Sequence, residues 1–299
     1  MKLAFLISAH TDAKHLARLV GSLPEESEFF VHIDAKSDIA PFIRAITDDR
    51  VHFLSHREDV IWGSWIEVRY QMELIRAALR RDTVFDYLIT LSGMDYPLWS
   101  NARIVGFLSE NRGKQFLQGM RVMKDDPKSH MYRQYRMLSC VHWKNGSIGS
   151  KLRVAMRSLV SAIGIRKPLE FNVGGKHYSL YKGAAWWAIT PALANYVLES
   201  YDNNAELDSY FETSFCPAET FVQTVAFNSA FADRCILTAG HFTTLYDLTP
   251  LTYIDYNPVV QVLTEKYLDT LKSCGKMFCR KVCTGKSDGL MKLIDEMRA

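Results

Sequence analysis

The fold class is indicated most directly by an apolar run that ends in a polar turn, Asp86-Tyr87-Leu88-Ile89-Thr90-Leu91-Ser92-Gly93-Met94-Asp95-Tyr96-Pro97-Leu98. Residues 86–91 are mostly apolar over the length of one strand, which is typical of a strand buried on both faces of a parallel sheet. Gly93 and Pro97 then mark a turn. The stretch therefore predicts a buried strand whose carboxyl end carries polar groups.

Similar apolar runs alternate with helical patterns on both sides of this stretch. Strands are predicted at 3–8, 29–33, 51–54 and 184–190, and helices at 12–23, 64–81, 191–200 and 217–228. Strands that alternate with helices predict an α/β fold with a mainly parallel central sheet flanked by helices. Ligands bind beyond the carboxyl ends of such strands. We therefore expect one cleft where Ser8-Ala9-His10, His32-Ile33-Asp34 and Gly93-Met94-Asp95 meet.

Composition excludes several classes of protein. Of the 299 residues, 48% are hydrophobic and 23% charged, which suits a packed core and not a disordered chain. The net charge of +3 gives no reason to expect nucleic acid as a partner. The six cysteines are too sparse for a disulfide framework.

No apolar run is long enough to span a membrane as a helix. The N-terminal run soon meets His10 and Asp12, so it predicts a first strand rather than a signal peptide. If Met1 is the natural start, we expect a cytoplasmic location. The alternative is a cytoplasmic protein that is attached peripherally to the inner face of the membrane.

A basic stretch without any acidic residue extends from 127 to 169. Within it, 151–163 predicts an amphipathic helix with Leu152, Met156 and Leu159 on its apolar face and Arg153 and Arg157 opposite. We favour packing of the apolar face on the domain, with the basic face in water. The alternative is contact with an anionic membrane surface.

Sequence signatures of common cofactor and metal sites are absent. The chain has no Gly-x-Gly-x-x-Gly, no P-loop, no His-Glu-x-x-His and no Gly-x-Ser-x-Gly. Cys279 and Cys283 have the wrong spacing for zinc, with basic residues between them. We expect neither a metal nor a cofactor.

Five blocks of sequence, in order along the chain, carry a resemblance to the core-2/I-branching β-1,6-N-acetylglucosaminyltransferase family, which also includes peptide-O-xylosyltransferases. The blocks are Phe30-Val31-His32-Ile33-Asp34-Ala35-Lys36, Val60-Ile61-Trp62-Gly63-Ser64-Trp65, Tyr87 to Leu98, Lys182-Gly183-Ala184-Ala185-Trp186-Trp187-Ala188-Ile189-Thr190 and Cys216-Pro217-Ala218-Glu219-Thr220-Phe221. The resemblance implies a GT-A-like, inverting glycosyltransferase that uses a nucleotide-sugar donor and no metal. We expect a single domain over 1–299, with a nucleotide-binding half at 1–125 and an acceptor-binding and catalytic half at 126–299.

The resemblance also assigns roles on the donor side. Glu219 corresponds to the glutamate that deprotonates the attacking hydroxyl, although the family's Ser-Pro-Asp-Glu reads Cys-Pro-Ala-Glu here. The alternative for Glu219 is a glutamate that only favours a helix N-terminus. Six further residues are expected around the donor: Asp34 and Trp62 at the uracil, Lys281 with the adjacent Arg280 at the diphosphate, and His10 and Asp95 near the ribose or sugar hydroxyls. The family's second diphosphate-binding residue, an arginine upstream, has no clear counterpart.

On the acceptor side, Tyr256 stands where the family has a tryptophan that stacks on a sugar. Arg133 and Trp187 are further acceptor candidates, with surface packing and a place in the core as their alternatives. The resemblance implies transfer of a sugar, most simply N-acetylglucosamine, from a UDP-sugar to a saccharide or lipid-linked saccharide in bacterial surface polysaccharide synthesis. The alternatives are UDP-xylose or another UDP-sugar as donor, and a catalytically silent saccharide- or nucleotide-binding protein.

Overall fold

The computed structural model of the chain describes residues 1–241 and 245–299, and strands alternate with helices over the first half. The strands are β1 (Leu3–Ala9), β2 (Glu28–Ile33), β3 (Val51–Phe53), β4 (Tyr87–Ser92), β5 (Asp95–Pro97), β6 (Gln118–Arg121), β7 (Glu170–Val173), β8 (Lys176–Ser179), β9 (Tyr181–Gly183), β10 (Ala188–Ile189), β11 (Ile236–Leu237), β12 (Thr252–Ile254) and β13 (Phe278–Arg280). The helices are α1 (Ala13–Gly21), α2 (Ala40–Ala45), α3 (Ile66–Leu79), α4 (Asn101–Glu110), α5 (Ser129–Tyr132), α6 (Ile148–Ala162), α7 (Pro191–Asp202), α8 (Ala205–Glu212), α9 (Phe221–Phe227), α10 (Leu268–Ser273) and α11 (Asp288–Arg298).

A central sheet has the strand order β10-β4-β1-β2-β3, in which β1 to β4 are parallel and only β10 is antiparallel. Strand β1 lies in the middle and is buried on both faces. Phe5 and Ile7 pack with α1 and α4 on one side, and Ala4 and Leu6 pack with α3 on the other. Burial on both faces explains the continuous apolar run of this strand. The prediction of an α/β fold with a mainly parallel sheet flanked by helices is confirmed.

The C-terminal part of the chain returns to the end of this sheet. Strand β13 lies between β12 and β5, and its register places Arg280 opposite Asp95. The backbone N–H of Val282 also donates to the carbonyl of Met94 at 2.9 Å. These bonds bring Arg280 and Lys281 to the turn that follows β4.

Two predicted elements differ from the structure. Only Ala188–Ile189 of the predicted strand 184–190 pairs with β4. The segment before it is bonded by the side chain of Thr90 instead: the Thr90 hydroxyl donates to the Ala185 carbonyl at 2.8 Å and accepts from the Trp187 N–H at 2.8 Å. The predicted helix 217–228 is a 3₁₀ turn (Pro217–Glu219) followed by α9, because Thr220 between them leaves helical geometry at φ −130° and ψ −32°.

Helix α6 is present where the basic amphipathic helix is predicted. Its arginine side, however, faces the domain, and its apolar face is turned to solvent. The guanidinium of Arg157 donates to the Met137 carbonyl at 2.7 and 3.0 Å, and that of Arg153 donates to the Val141 carbonyl at 3.2 Å. Leu152 and Leu159 of the apolar face are 61% and 63% exposed. The prediction that the apolar face packs on the domain is therefore wrong, because the arginines are drawn inward by the backbone carbonyls of 137–141.

Among the residues that the structure describes, we find no helix that combines the length and the apolar character needed to cross a membrane.

Candidate active site

A cleft of about 710 Å³ lies at the carboxyl ends of β1, β2 and β4. Backbone hydrogen bonds join these strand ends: the N–H of Gly93 donates to the Ser8 carbonyl at 2.8 Å, and that of Asp34 donates to the Ala9 carbonyl at 2.9 Å. A Cβ on residue 93 would lie 2.6 Å from the Ala9 Cβ, so only glycine permits this approach. The single cleft predicted from the polar strand ends is present.

Glu219 lies in the 3₁₀ turn at one side of the cleft, where its carboxylate meets a buried cation. The Nζ of Lys182 lies 3.1 Å from Oε2 of Glu219, and the two side chains are 7% and 21% exposed. Burial disfavours the charge on Lys182, but Glu219 and Tyr132 more than offset it, so the pKa of Lys182 is raised. Glu219 is thus held beside a permanent positive charge while it still faces the cleft.

A second carboxyl group of the cleft, Glu67, was not predicted from the sequence. It accepts a 2.6 Å hydrogen bond from the Gly63 N–H at the start of α3. Burial, reinforced by the charge of Glu219, raises the pKa of Glu67 to about 7. The available signal is its helical spacing with Gln71 and Leu74, which line the same cleft.

The floor of the cleft is formed by two stacked rings. His32 and Tyr70 lie 4.7 Å apart with an interplanar angle of 12°. Nε2 of His32 accepts from the backbone N–H of Glu58 at 2.9 Å, which fixes its tautomer. Burial lowers the pKa of His32 to about 4, so the ring is neutral at pH 7.

Asp34 and Trp62, the predicted uracil contacts, both line the cleft. One oxygen of Asp34 lies 3.2 Å from the Lys36 ammonium, and the other accepts from the Lys36 N–H at 3.0 Å. Trp62 is 76% exposed, so one large aromatic surface is free to stack on a planar ligand. His10 also lines the cleft, and its carbonyl accepts from the Ser37 hydroxyl at 2.7 Å.

Arg280 and Lys281 form the cationic side of the cleft. The Arg280 guanidinium lies 4.0 Å from the Trp186 ring centroid, and its Nε lies 3.8 Å from the Asp95 carboxylate. That Nε has no hydrogen-bond partner among the described residues. Burial lowers the pKa of both residues; Asp95 opposes this effect, and the charge of Arg280 adds to it at Lys281. An anion bound in the cleft would offset the cost of burying these two charges.

Three predicted contact residues lie outside the cleft surface. Asp95 has no exposed surface; it accepts from the Ser92 N–H at 2.8 Å and from the Trp186 indole at 3.0 Å, and so positions a cleft residue instead of lining the cleft. Trp187 is buried in the core, and its neighbour Trp186 lines the cleft. Arg133 does not line it, although Tyr132 does.

The remaining acceptor candidate, Tyr256, lines the cleft and is 56% exposed. The cleft therefore brings together Glu219, His10, Asp34, Trp62, Arg280, Lys281 and Tyr256 from the sequence prediction. Lys182, Trp186 and Tyr132 complete it and were not singled out as site residues. Lys182 and Trp186 lie in the fourth of the five sequence blocks. Their contacts, however, join segments far apart in sequence, such as Lys182 with Glu219, so the pattern alone does not show that they face the cleft.

Comparison with known proteins gives consistent matches. A family model described as "Branch: Core-2/I-Branching enzyme" matches residues 3–257. Human xylosyltransferase 2 is 29% identical over 239 residues, which are 77% of this chain and 25% of that protein. Xylosyltransferase sqv-6 of Caenorhabditis elegans is 23% identical over 238 residues, which are 78% of this chain and 27% of that protein. The chain spans about a quarter of the length of these curated relatives.

Among solved structures, S. aureus TarS in complex with UDP-GlcNAc matches with 12% sequence identity and a TM-score of 0.37. The match covers 81% of this chain and 57% of that chain.

Proposed function

Because the chain belongs to the Core-2/I-branching enzyme family, as the five sequence blocks predict, we propose that it is an inverting glycosyltransferase that uses a UDP-sugar. One observation carries the proposal: a carboxylate, Glu219, and two cations, Arg280 and Lys281, face the same cleft at the ends of the parallel strands. An inverting transfer needs a base for the attacking hydroxyl and positive charge for the departing diphosphate. Each requirement has a candidate in this cleft.

In the proposed reaction, Glu219 takes the proton of an acceptor hydroxyl as its oxygen bonds to the anomeric carbon of the donor. The bond from that carbon to the diphosphate oxygen breaks on the opposite face, and its electron pair leaves with UDP. The ammonium of Lys182, 3.1 Å from Oε2 of Glu219, holds this carboxylate at the side of the cleft.

We propose that Arg280 and Lys281 stabilise the charge that develops on the diphosphate, without a metal ion. Fixed cations in a water-poor site stabilise such charge without reorganisation. Arg280 is already oriented by Trp186 and Asp95, so little rotational freedom is lost when it binds. The described residues contain no group of three His, Cys, Asp or Glu side chains placed to hold a metal.

For the remainder of the donor, we propose that the ring of Trp62 stacks on the uracil and that Asp34 accepts its imide proton. Exposure of the Trp62 ring and the place of Asp34 at the end of β2 support this assignment. His10, at the end of β1, is then within the same cleft for a hydroxyl of the ribose or sugar. On the acceptor side, the exposed ring of Tyr256 is the proposed stacking surface.

Two donor sugars are candidates. We propose N-acetylglucosamine first, as the sugar that the family resemblance implies, transferred to a saccharide or lipid-linked saccharide of a bacterial surface polysaccharide. The relatives named xylosyltransferases favour xylose as the second. Release of UDP from a panel of UDP-sugars, each with a mixture of saccharide acceptors and a chelator, tests the proposal. We expect turnover of one donor with the chelator present. Strict dependence on added metal would contradict the metal-free mechanism, and UDP binding without turnover of any donor would favour a silent binding protein.

A further inference from the structure

Helix α6 presents an apolar stripe to solvent. We define the α6 apolar face as Ile148, Leu152, Ala155, Leu159 and Ile163, which follow each other at spacings of three or four positions on one side of the helix. At about 100° per residue they fall within roughly a quarter of the helix circumference. The four large side chains are 87%, 61%, 63% and 63% exposed. A stripe of this kind normally covers a core.

The outward orientation of this face is built into the contacts of the helix. Arg153 and Arg157 bond the carbonyls of the preceding segment from the other side, and Arg153 also lies over the ring of Trp143 at 5.6 Å. Gly149 allows the Trp143 ring to approach closely, since a Cβ there would lie 2.6 Å from it. Turning the apolar face inward would break all of these contacts.

Exposed cations surround the α6 apolar face. Lys144 precedes the helix, Lys151 lies in its first turn and Arg166 follows its end, and all three are exposed. The whole segment 127–169 contains no acidic residue. An exposed apolar stripe with cations at both ends matches a surface that is apolar at depth and anionic at its boundary.

We propose that the α6 apolar face docks on the interface of an anionic lipid bilayer. A bilayer satisfies both features, because its acyl region takes up the leucine and isoleucine side chains while anionic headgroups pair with the flanking lysine and arginine. A second copy of the chain fits less well as the occupant. Two such faces in contact would place two acid-free basic segments together.

Co-sedimentation of the full chain with vesicles tests the proposal. We expect binding to vesicles of equal parts phosphatidylglycerol and phosphatidylcholine, and much weaker binding to phosphatidylcholine alone. The double variant Leu152→Glu/Leu159→Glu should lose at least about tenfold in vesicle affinity, since two apolar side chains no longer leave water. Thermal unfolding checks that the variant is folded, which is expected because both side chains are exposed.

The matched control is Ile43→Glu/Val84→Glu, which changes two exposed apolar residues outside the segment, 51% and 86% exposed. It adds the same two charges and should retain vesicle binding. Equal loss in both double variants would overturn the proposal, because binding would then follow net charge alone. So would the absence of binding to either vesicle, or a dimer in sedimentation velocity that only Leu152→Glu/Leu159→Glu dissociates. Turnover of UDP-sugar with a water-soluble acceptor should not change in either variant, which separates this proposal from the proposed activity.

Discussion

At the scale of single residues, the cleft holds two carboxyl groups in different surroundings. Glu219 is paired with the buried ammonium of Lys182 at 3.1 Å. Glu67 accepts a backbone hydrogen bond, and both burial and the nearby charge of Glu219 disfavour its ionised form. The two groups therefore differ in their surroundings, and Glu67 holds its proton to a higher pH than an ordinary glutamate does. This division suits a site in which a single carboxylate acts as the base.

The raised pKa of Glu67, about 7 against its ordinary 4.5, predicts a pH dependence of stability. Between these values the folded chain holds a proton that the unfolded chain has released, so the contribution of Glu67 to the free energy of unfolding is present at low pH and lost as the pH rises through 7. The free energy of unfolding of Glu67→Gln, minus that of wild type, should therefore be larger at pH 8 than at pH 5. Urea unfolding of both proteins at the two pH values measures this difference. The exposed Glu110→Gln variant is the control. An unchanged difference between Glu67→Gln and wild type at the two pH values would contradict the assignment.

The proposed diphosphate contact is also tested at one residue. Lys281→Met removes a charge-assisted hydrogen bond, worth about 1.5–3 kcal/mol, and should weaken UDP binding by about tenfold or more in calorimetry. Lys286→Met removes the same charge from an exposed position of the same tail and should leave the affinity unchanged. Equal affinities for UDP in the Lys281→Met variant and wild type would show that Lys281 is not a phosphate ligand.

At the scale of elements, the close approach of β1 and the turn after β4 shapes the cleft. Gly93→Ala places a Cβ 2.6 Å from that of Ala9, so we expect a loss of about 1–3 kcal/mol in the free energy of unfolding together with weaker UDP binding. Gly106→Ala is the matched control, because Gly106 lies inside α4 with no atom within 4 Å of the added Cβ. It should stabilise the chain by about 0.5–1 kcal/mol. Thermal or urea unfolding separates the two outcomes, and equal effects would contradict the packing argument.

The elements also show what the sequence can predict. The strands of the sheet, such as β1 and β4, are apolar runs whose burial on both faces follows from their composition, and the cleft follows from the polar residues at their ends. The orientation of α6 could not be predicted, because the carbonyl partners of Arg153 and Arg157 belong to an irregular segment. Trp186 and Trp187 could not be told apart either, because the contacts of Thr90 that fix their segment join residues 95 and 97 positions apart.

At the scale of the whole molecule, the proposed functions are divided along the chain. In the first half, the ends of β1 and β2 supply His10 and Asp34, and the loop before α3 supplies Trp62. The second half supplies Glu219, Arg280 at the end of β13 and Lys281 after it. The near-neutral total charge of +3 hides two basic regions, one at the cleft and one around α6. The first is proposed to hold a diphosphate and the second a membrane surface.

Glu219 is proposed to be the base of a UDP-sugar transfer. The most direct measurement is the rate of UDP release, at saturating donor and acceptor, for wild type, Glu219→Gln and the control Glu212→Gln at the end of α8, with UDP affinity measured for each. We predict that kcat falls by about 10²–10⁴-fold in Glu219→Gln, while its UDP affinity and the activity of the control stay close to wild type. Turnover by Glu219→Gln at the wild-type rate would show that Glu219 is not the base.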